Sequence, residues 1–287
     1  MRKYYVFGGV NIDIVAKVFG KASIYESNPS TITLSYGGVG RNIARAIGNY
    51  DFVELISAVS RSPLFGSLLS DLHDHNVGTH MIISDPSMDN SIYLDIIDER
   101  GVVIGASDTK LAEKIKKEDL IEAMMLITKD DVVIVDTNLP HDVIKYILTH
   151  SKGYNCMDAV SSKKLEKVLD LLECVDLLKV NEYEYAVAKD YLINDYIITK
   201  GNGATVHIGE FNYSFTHDTV SPVNPTGCGD TFFATFIVNM KKGIKEALIE
   251  AVRAATASAL SLNAVPEMEE IKKIDVSKLN IVWREND

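Results

Sequence analysis

The residues Asn224-Pro-Thr-Gly-Cys-Gly-Asp230 stand directly before an apolar, helix-like run from Thr231 to Met240. Gly227, Cys228 and Gly229 would bring three successive amides to a helix N-terminus, where amides and helix dipole together stabilise an anion. Asp230 falls just inside that turn. A carboxylate beside an anion hole suits a base that takes a proton while the amides hold developing negative charge. Taken alone, a simpler account is stronger: an acidic residue in a first helical turn merely offsets the dipole. The segment is not a Walker A loop, because no Gly-Lys-Ser/Thr follows.

Gly37-Gly38-Val39-Gly40-Arg41-Asn42 opens a second helix-like stretch. It lacks the Gly-x-Gly-x-x-Gly spacing of a dinucleotide fingerprint. Its glycines permit a ligand close to the backbone, and Asn42 offers a donor and an acceptor to a hydroxyl. Gly8-Gly9-Val10-Asn11-Ile12-Asp13 ends the first β-rich run. Ligands of open α/β sheets bind beyond the carboxyl ends of strands, and a carboxylate there can hold two adjacent hydroxyls. Singly, these two segments are explained as well by a tight turn and a loop aspartate.

The elements that must position these groups alternate. Tyr4–Val10, Val53–Val59, Asp131–Asp136, Tyr154–Met157 and Val175–Val180 read as strands. Val39–Asn49, Pro63–His75, His141–Thr149, Ser162–Leu172 and Glu182–Lys189 read as helices, with Ser62 as N-cap and Pro63 at the first position of the second. This predicts βαβ units and a mainly parallel, helix-covered sheet. Two stretches break the pattern. Thr31–Tyr36 places Ile32, Leu34 and Tyr36 on one face. Ser91–Ile97 places Ile92, Leu94 and Ile96 on one face, then turns at residues 98–101 into Val102–Ile104. Period-two segments predict a small antiparallel flap on the larger body.

The 287 residues carry 29 Lys and Arg against 40 Asp and Glu, a net charge of −11, with no dense basic cluster, so a polynucleotide partner is not expected. The three cysteines, Cys156, Cys174 and Cys228, form no Cys-x-x-Cys, which fits a reducing, cytoplasmic setting without structural zinc. Arg2 and Lys3 precede an apolar stretch, but Gly8, Gly9, Asn11 and Asp13 interrupt it; no signal peptide or membrane span is expected. His73 and His75 lie on different helix faces and make no metal site.

Taken together, Gly-Gly-x-Asn-x-Asp, Gly-Gly-Val-Gly-Arg-Asn, the flap strands, Asn181-x-x-Glu184, Thr199-Lys-Gly and Thr-Gly-Cys-Gly-Asp are similar, in order and spacing, to the ribokinase-like (pfkB-type) carbohydrate kinases, over nearly the whole chain. Ser27-Asn28-Pro29, Tyr93-Leu94-Asp95-Ile96 through Asp108, Asp136-Thr137-Asn138-Leu139 and Asp158-Ala159-Val160-Ser161 resemble the pseudouridine kinase branch of that family. The resemblance implies an α/β, three-layer sandwich in one domain, residues 1–287, with lid strands at about 14–36 and 91–105. It implies an ATP- and Mg²⁺-dependent kinase acting on a ribose 5′-hydroxyl, best matched to pseudouridine. Asp230 would be the base. Gly227, Cys228 and Gly229 would form the anion hole. Asn11, Asp13, Gly37, Gly38, Asn42, Tyr93, Asp108 and Asn138 would hold the acceptor, with Asp108 or Asn138 reading the base. Asn181, Thr199, Lys200, Gly201 and Asn202 would border the nucleotide, and Glu184 would organise Mg²⁺ through water. A homodimer through the lid is expected.

The chain departs from that pattern in three places. Cys228 stands where relatives carry Ala, and a thiol at a helix N-terminus is expected to have a lowered pKa. Asn224 stands where many relatives carry Asp, which sets any monovalent-cation site in question. The segment between Ala188 and Ile197 is shorter than the family norm. Other readings are a kinase of another nucleoside or of a free sugar such as ribose or fructose and, from a different class, a non-catalytic nucleotide or sugar sensor. The intact Gly-x-Gly and Asp230 argue against the sensor.

Overall fold

The structure is a computed structural model that describes residues 2–61, 63–85 and 91–286. The strands, in chain order, are β1 (Tyr4–Phe7), β2 (Asn11–Val18), β3 (Ser30–Gly37), β4 (Val53–Ile56), β5 (Ala58–Ser60), β6 (Val77–Gly78), β7 (Ile83–Asp85), β8 (Ile92–Asp98), β9 (Gly101–Asp108), β10 (Val132–Asp136), β11 (Tyr154–Asp158), β12 (Leu177–Asn181), β13 (Asp195–Lys200), β14 (Gly203–Ile208), β15 (Phe211–Thr216) and β16 (Val282–Glu285). The helices are α1 (Val39–Gly48), α2 (Pro63–Asp74), α3 (Ile121–Leu126), α4 (His141–His150), α5 (Ser162–Leu165), α6 (Glu182–Ala188), α7 (Cys228–Asn239), α8 (Ile244–Leu260) and α9 (Met268–Lys272).

Ten strands form the main sheet in the order β16-β15-β14-β13-β12-β11-β10-β1-β4-β6. Pairing is parallel from β6 through β13 and antiparallel from β13 to β16. The parallel strands read as apolar runs because helices cover both faces. On one face α1 packs on α7 and α7 on α8; on the other α5 and α6 pack together. Val6, Phe7, Leu55, Ile134, Phe233 and Phe236 are fully buried in the core between sheet and helices. The expected α/β sandwich with a mainly parallel sheet is therefore present.

The lid is a four-stranded sheet, β3-β2-β8-β9. It differs from the antiparallel flap expected, since β2 and β8 pair in parallel. The chain re-enters the lid at β8 after passing back through the body, so both strands run outward from the same root, where the Ile12 amide bonds the Ser91 carbonyl. Three further boundaries move. The first strand stops at Phe7 and β2 starts at Asn11, with Gly8–Val10 as the bend from body to lid. The run Val53–Val59 divides at Ser57, whose hydroxyl is drawn to the Gly8 carbonyl at 2.6 Å; β5 then pairs with β7 outside the main sheet. The expected helix at 162–172 keeps one α turn and continues as a 3₁₀ segment, Glu166–Cys174, broken at Val168. Helix α2 starts at Pro63 as expected, while Ser62 lies outside the described residues.

Candidate active site

Helix α7 opens at Gly227, whose φ of 82° only glycine adopts without strain; a Cβ there would also meet the Ala264 backbone. No side chain caps this end, and the first amides of a helix have no intrahelical acceptor. Asp230 lies in this first turn, among the uncapped amides expected to hold an anion. Asp230 is 8% exposed. Burial, and then the nearby Asp158 carboxylate, push its pKa up to about 7, against the attraction of Lys179 and a hydrogen bond from Asn42. A carboxyl that titrates near neutrality can serve as a general base at physiological pH.

Asn42 Nδ2 donates to Asp230 Oδ2 at 2.9 Å. The neighbouring Arg41 sets the amide's orientation: its Nη1 donates to Asn42 Oδ1 at 3.2 Å, leaving the NH₂ end for Asp230. Arg41 is itself buried and held by Asp71 at 2.9 Å.

Beneath these groups lies Asp136 at the end of β10. Its Oδ2 accepts from the amides of Gly9 and Gly40, both at 2.8 Å, and its Oδ1 from that of Asn138 at 2.9 Å. One carboxylate thus ties the first glycine loop to the second. The glycines also make the close approach of these segments possible. A Cβ on Gly40 would lie 2.7 Å from Gly8 Cα, one on Gly37 would collide with Asp13, and one on Gly38 (φ 96°) would collide with the Gly9 carbonyl. Asp13 is buried at the lid root. It accepts from Asn11 Nδ2, sits in register with Tyr93 on one side and Ser35 on the other, and is pushed up to about 6 mainly by burial.

One of the expected acceptor-binding residues, Asp108, stands on the other lid face from Asp13. It pairs in register with Ile92 and is exposed, 3.5 Å from Lys110. Asn138 lies against Gly9 and accepts from Lys164 Nζ.

Asn181, Thr199, Lys200 and Gly201, expected to border the nucleotide, line a pocket of about 690 Å³ together with Cys228 and Gly229. Asn202 is not among its lining residues; its carbonyl accepts from the His217 amide. Asn181 and Glu184 form a reciprocal capping box. Asn181 Oδ1 accepts from the Tyr183 and Glu184 amides, and Glu184 Oε2 from the Asn181 amide at 2.7 Å. Among the described residues there is no group of three or more His, Cys, Asp or Glu able to hold a metal. Glu184, the carboxylate expected to organise Mg²⁺ through water, is buried, has Oε2 engaged by the Asn181 amide and is not among the residues lining the pocket. At Asn224, the Thr226 amide donates to Oδ1 and Nδ2 donates to the Leu262 carbonyl, 3.2 Å away. The short segment after α6 is a single 3₁₀ turn, Lys189–Tyr191.

Lys179 was missing from the sequence-based set. It is 8% exposed, pairs with the fully buried Asp158 at 2.9 Å, and lies so near Gly229 that a Cβ there would be 3.1 Å from its Nζ. The signal was present as one lysine in the otherwise apolar Leu177–Val180 run, since lysine is seldom buried without a partner. Lys179 places a positive charge beside the first turn of α7. Cys228 is corrected: burial raises its thiol pKa rather than the helix terminus lowering it.

Residues 1–265 match the pfkB family of carbohydrate kinases, and the chain belongs to that family. It is 29% identical over 184 residues to a pseudouridine kinase of Escherichia coli (strain K12), an alignment covering 62% of this chain and 58% of that protein's length. A carbohydrate kinase structure from Agrobacterium tumefaciens superposes with a TM-score of 0.81 at 20% identity, covering 99% of this chain and all of that one. A ribokinase from Cryptococcus neoformans in complex with ADP gives 0.77 at 17%, covering 95% and 99%. No helix among the described residues is long and apolar enough to cross a membrane.

Proposed function

We propose that this kinase transfers the γ-phosphoryl group of ATP to the 5′-hydroxyl of a ribonucleoside, with pseudouridine the preferred acceptor. The observation that carries the reading is the position of Asp230, a buried carboxyl held by Asn42 at the mouth of an uncapped helix. Asp13 and Asn42 hold the ribose hydroxyls. Asp230 takes the 5′-hydroxyl proton as the oxygen attacks in line. The first-turn amides of α7 and the charge of Lys179 stabilise the transferring phosphoryl group. Mg²⁺ bound with the nucleotide supplies charge neutralisation at the β- and γ-phosphates. Asn181 and residues 199–201 border the nucleotide. Positioning and electrostatics supply the catalysis. The identity to a pseudouridine kinase supports the base preference.

ADP release with ATP and Mg²⁺ across pseudouridine, uridine, ribose and fructose tests this. Pseudouridine should give the highest kcat/KM. A tenfold preference for uridine or a free sugar would overturn the acceptor assignment and leave the family membership intact.

A further inference from the structure

We infer that Asp95, on the lid, is a specificity-determining acceptor for a nucleobase N–H, the one that separates pseudouridine from uridine. The inference rests on the nucleoside kinase reading above. Its basis is the lid's two-sidedness. Residues in register across a sheet share a face, and alternate residues along a strand return to it. Asp13 is in register with Tyr93, and Asp95 stands two residues further out on the same strand, in register with Val15 and Gly105. Asp13, Tyr93 and Asp95 therefore occupy one face, the face that carries the carboxylate assigned to the ribose.

Asp95 is only 9% exposed, yet its Oδ1 has no hydrogen-bond partner among the described residues. A buried, unpaired carboxylate oxygen is unfavourable and calls for a donor. Gly105 makes room for it. A Cβ on Gly105 would lie 2.8 Å from Asp95 Oδ1 and 3.4 Å from the Tyr93 hydroxyl, so both polar atoms converge over a bare Cα. The Tyr93 hydroxyl lies beside Asp95 over Gly105, and burial, then the neighbouring carboxylate, push its phenol up to about 12. The phenol thus stays protonated beside the carboxylate at neutral pH. Two residues along a strand span roughly 7 Å, a step suited to the distance from a ribose hydroxyl to the polar edge of an attached base. A free monosaccharide held by Asp13 would leave Asp95 without a donor.

Pseudouridine carries a ring N–H that uridine lacks, and an ionised carboxylate only accepts. Losing a hydrogen bond to a buried acceptor corresponds to about 10- to 100-fold in kcat/KM. The test compares pseudouridine, N1-methylpseudouridine and uridine on the wild-type enzyme and on Asp95→Ala. Wild type should prefer pseudouridine over both others by that factor. Asp95→Ala should lower pseudouridine to their level while changing uridine less than threefold. Gly105→Ala keeps the charge but displaces the carboxylate, and should give the same selective loss if Asp95→Ala folds poorly. If pseudouridine is preferred yet both variants keep that preference, or uridine falls in step, the role of Asp95 is overturned and the nucleoside reading stands. If wild type prefers a free sugar tenfold, both fall.

Discussion

Asn42 and Asp230, 188 residues apart in the chain, are joined by one 2.9 Å hydrogen bond that carries the second glycine motif to the third. Because Arg41 occupies Asn42 Oδ1, the amide cannot turn its acceptor end toward Asp230. Asp230→Asn should fold normally, with a melting temperature close to wild type, and lose about 10²–10⁴-fold in turnover, the usual range for a positioned base. Wild-type ADP release by this variant would remove Asp230 from the base role.

The pH profile should carry the signature of the same carboxyl. Activity should rise through an apparent pKa near 7 as Asp230 ionises. Lys179 and the Asn42 hydrogen bond both lower that pKa, Lys179 more strongly. Lys179→Met should therefore move the acid limb to higher pH by more than Asn42→Ala does. The stability linkage has the opposite slope. A carboxyl whose folded pKa is raised contributes stability that is complete below its unfolded value near 3.8 and is lost as pH rises to about 7. Asp230→Asn should flatten that part of the stability curve, measured by urea unfolding at each pH.

Asn224 should make the enzyme indifferent to potassium. Its amide already donates to the Leu262 carbonyl. Turnover in sodium-, potassium- and tetramethylammonium-based buffers of equal ionic strength should agree within about twofold, less than one weak hydrogen bond is worth. Marked activation by potassium in the wild-type protein would contradict this.

The lid's other face predicts self-association. Two cross-strand rows run Leu34-Ile14-Leu94-Ala106 and Ile32-Ala16-Ile96-Ile104. Ile32, Leu34 and Ile104 are each more than half exposed. Contiguous apolar surface of this kind marks an interaction site. Light scattering at micromolar concentration should give a dimer mass, and Leu34→Glu should give a monomer; a monomeric wild type would count against the interface.

Cys228 should be slow to react with thiol reagents at neutral pH, because burial raises its pKa and the thiolate is the reactive form. Alkylation within seconds at pH 7, blocked by ADP, would show a lower pKa than its surroundings imply.

Much of this protein was legible before any coordinates. Apolar strand runs, helix periodicity and the order of the glycine motifs were enough for the sheet and the family, because these depend on local pattern. Period-two alternation exposed the lid as a separate sheet. It could not give the parallel pairing of β2 with β8, since the direction in which β8 re-enters depends on residues 38–91 that intervene. Nor could it show that Gly40 must clear the Gly8 backbone and Gly38 the Gly9 carbonyl, because those partners are some thirty residues away in sequence. The pairing of Lys179 with Asp158, the raised pKa of Cys228 and the unpartnered oxygen of Asp95 were likewise beyond it. Each follows from burial and from neighbours supplied by other elements. Residue type and spacing determine which chemistry is available here; the tertiary structure decides which charges are paired, which are desolvated and which acceptor is left open.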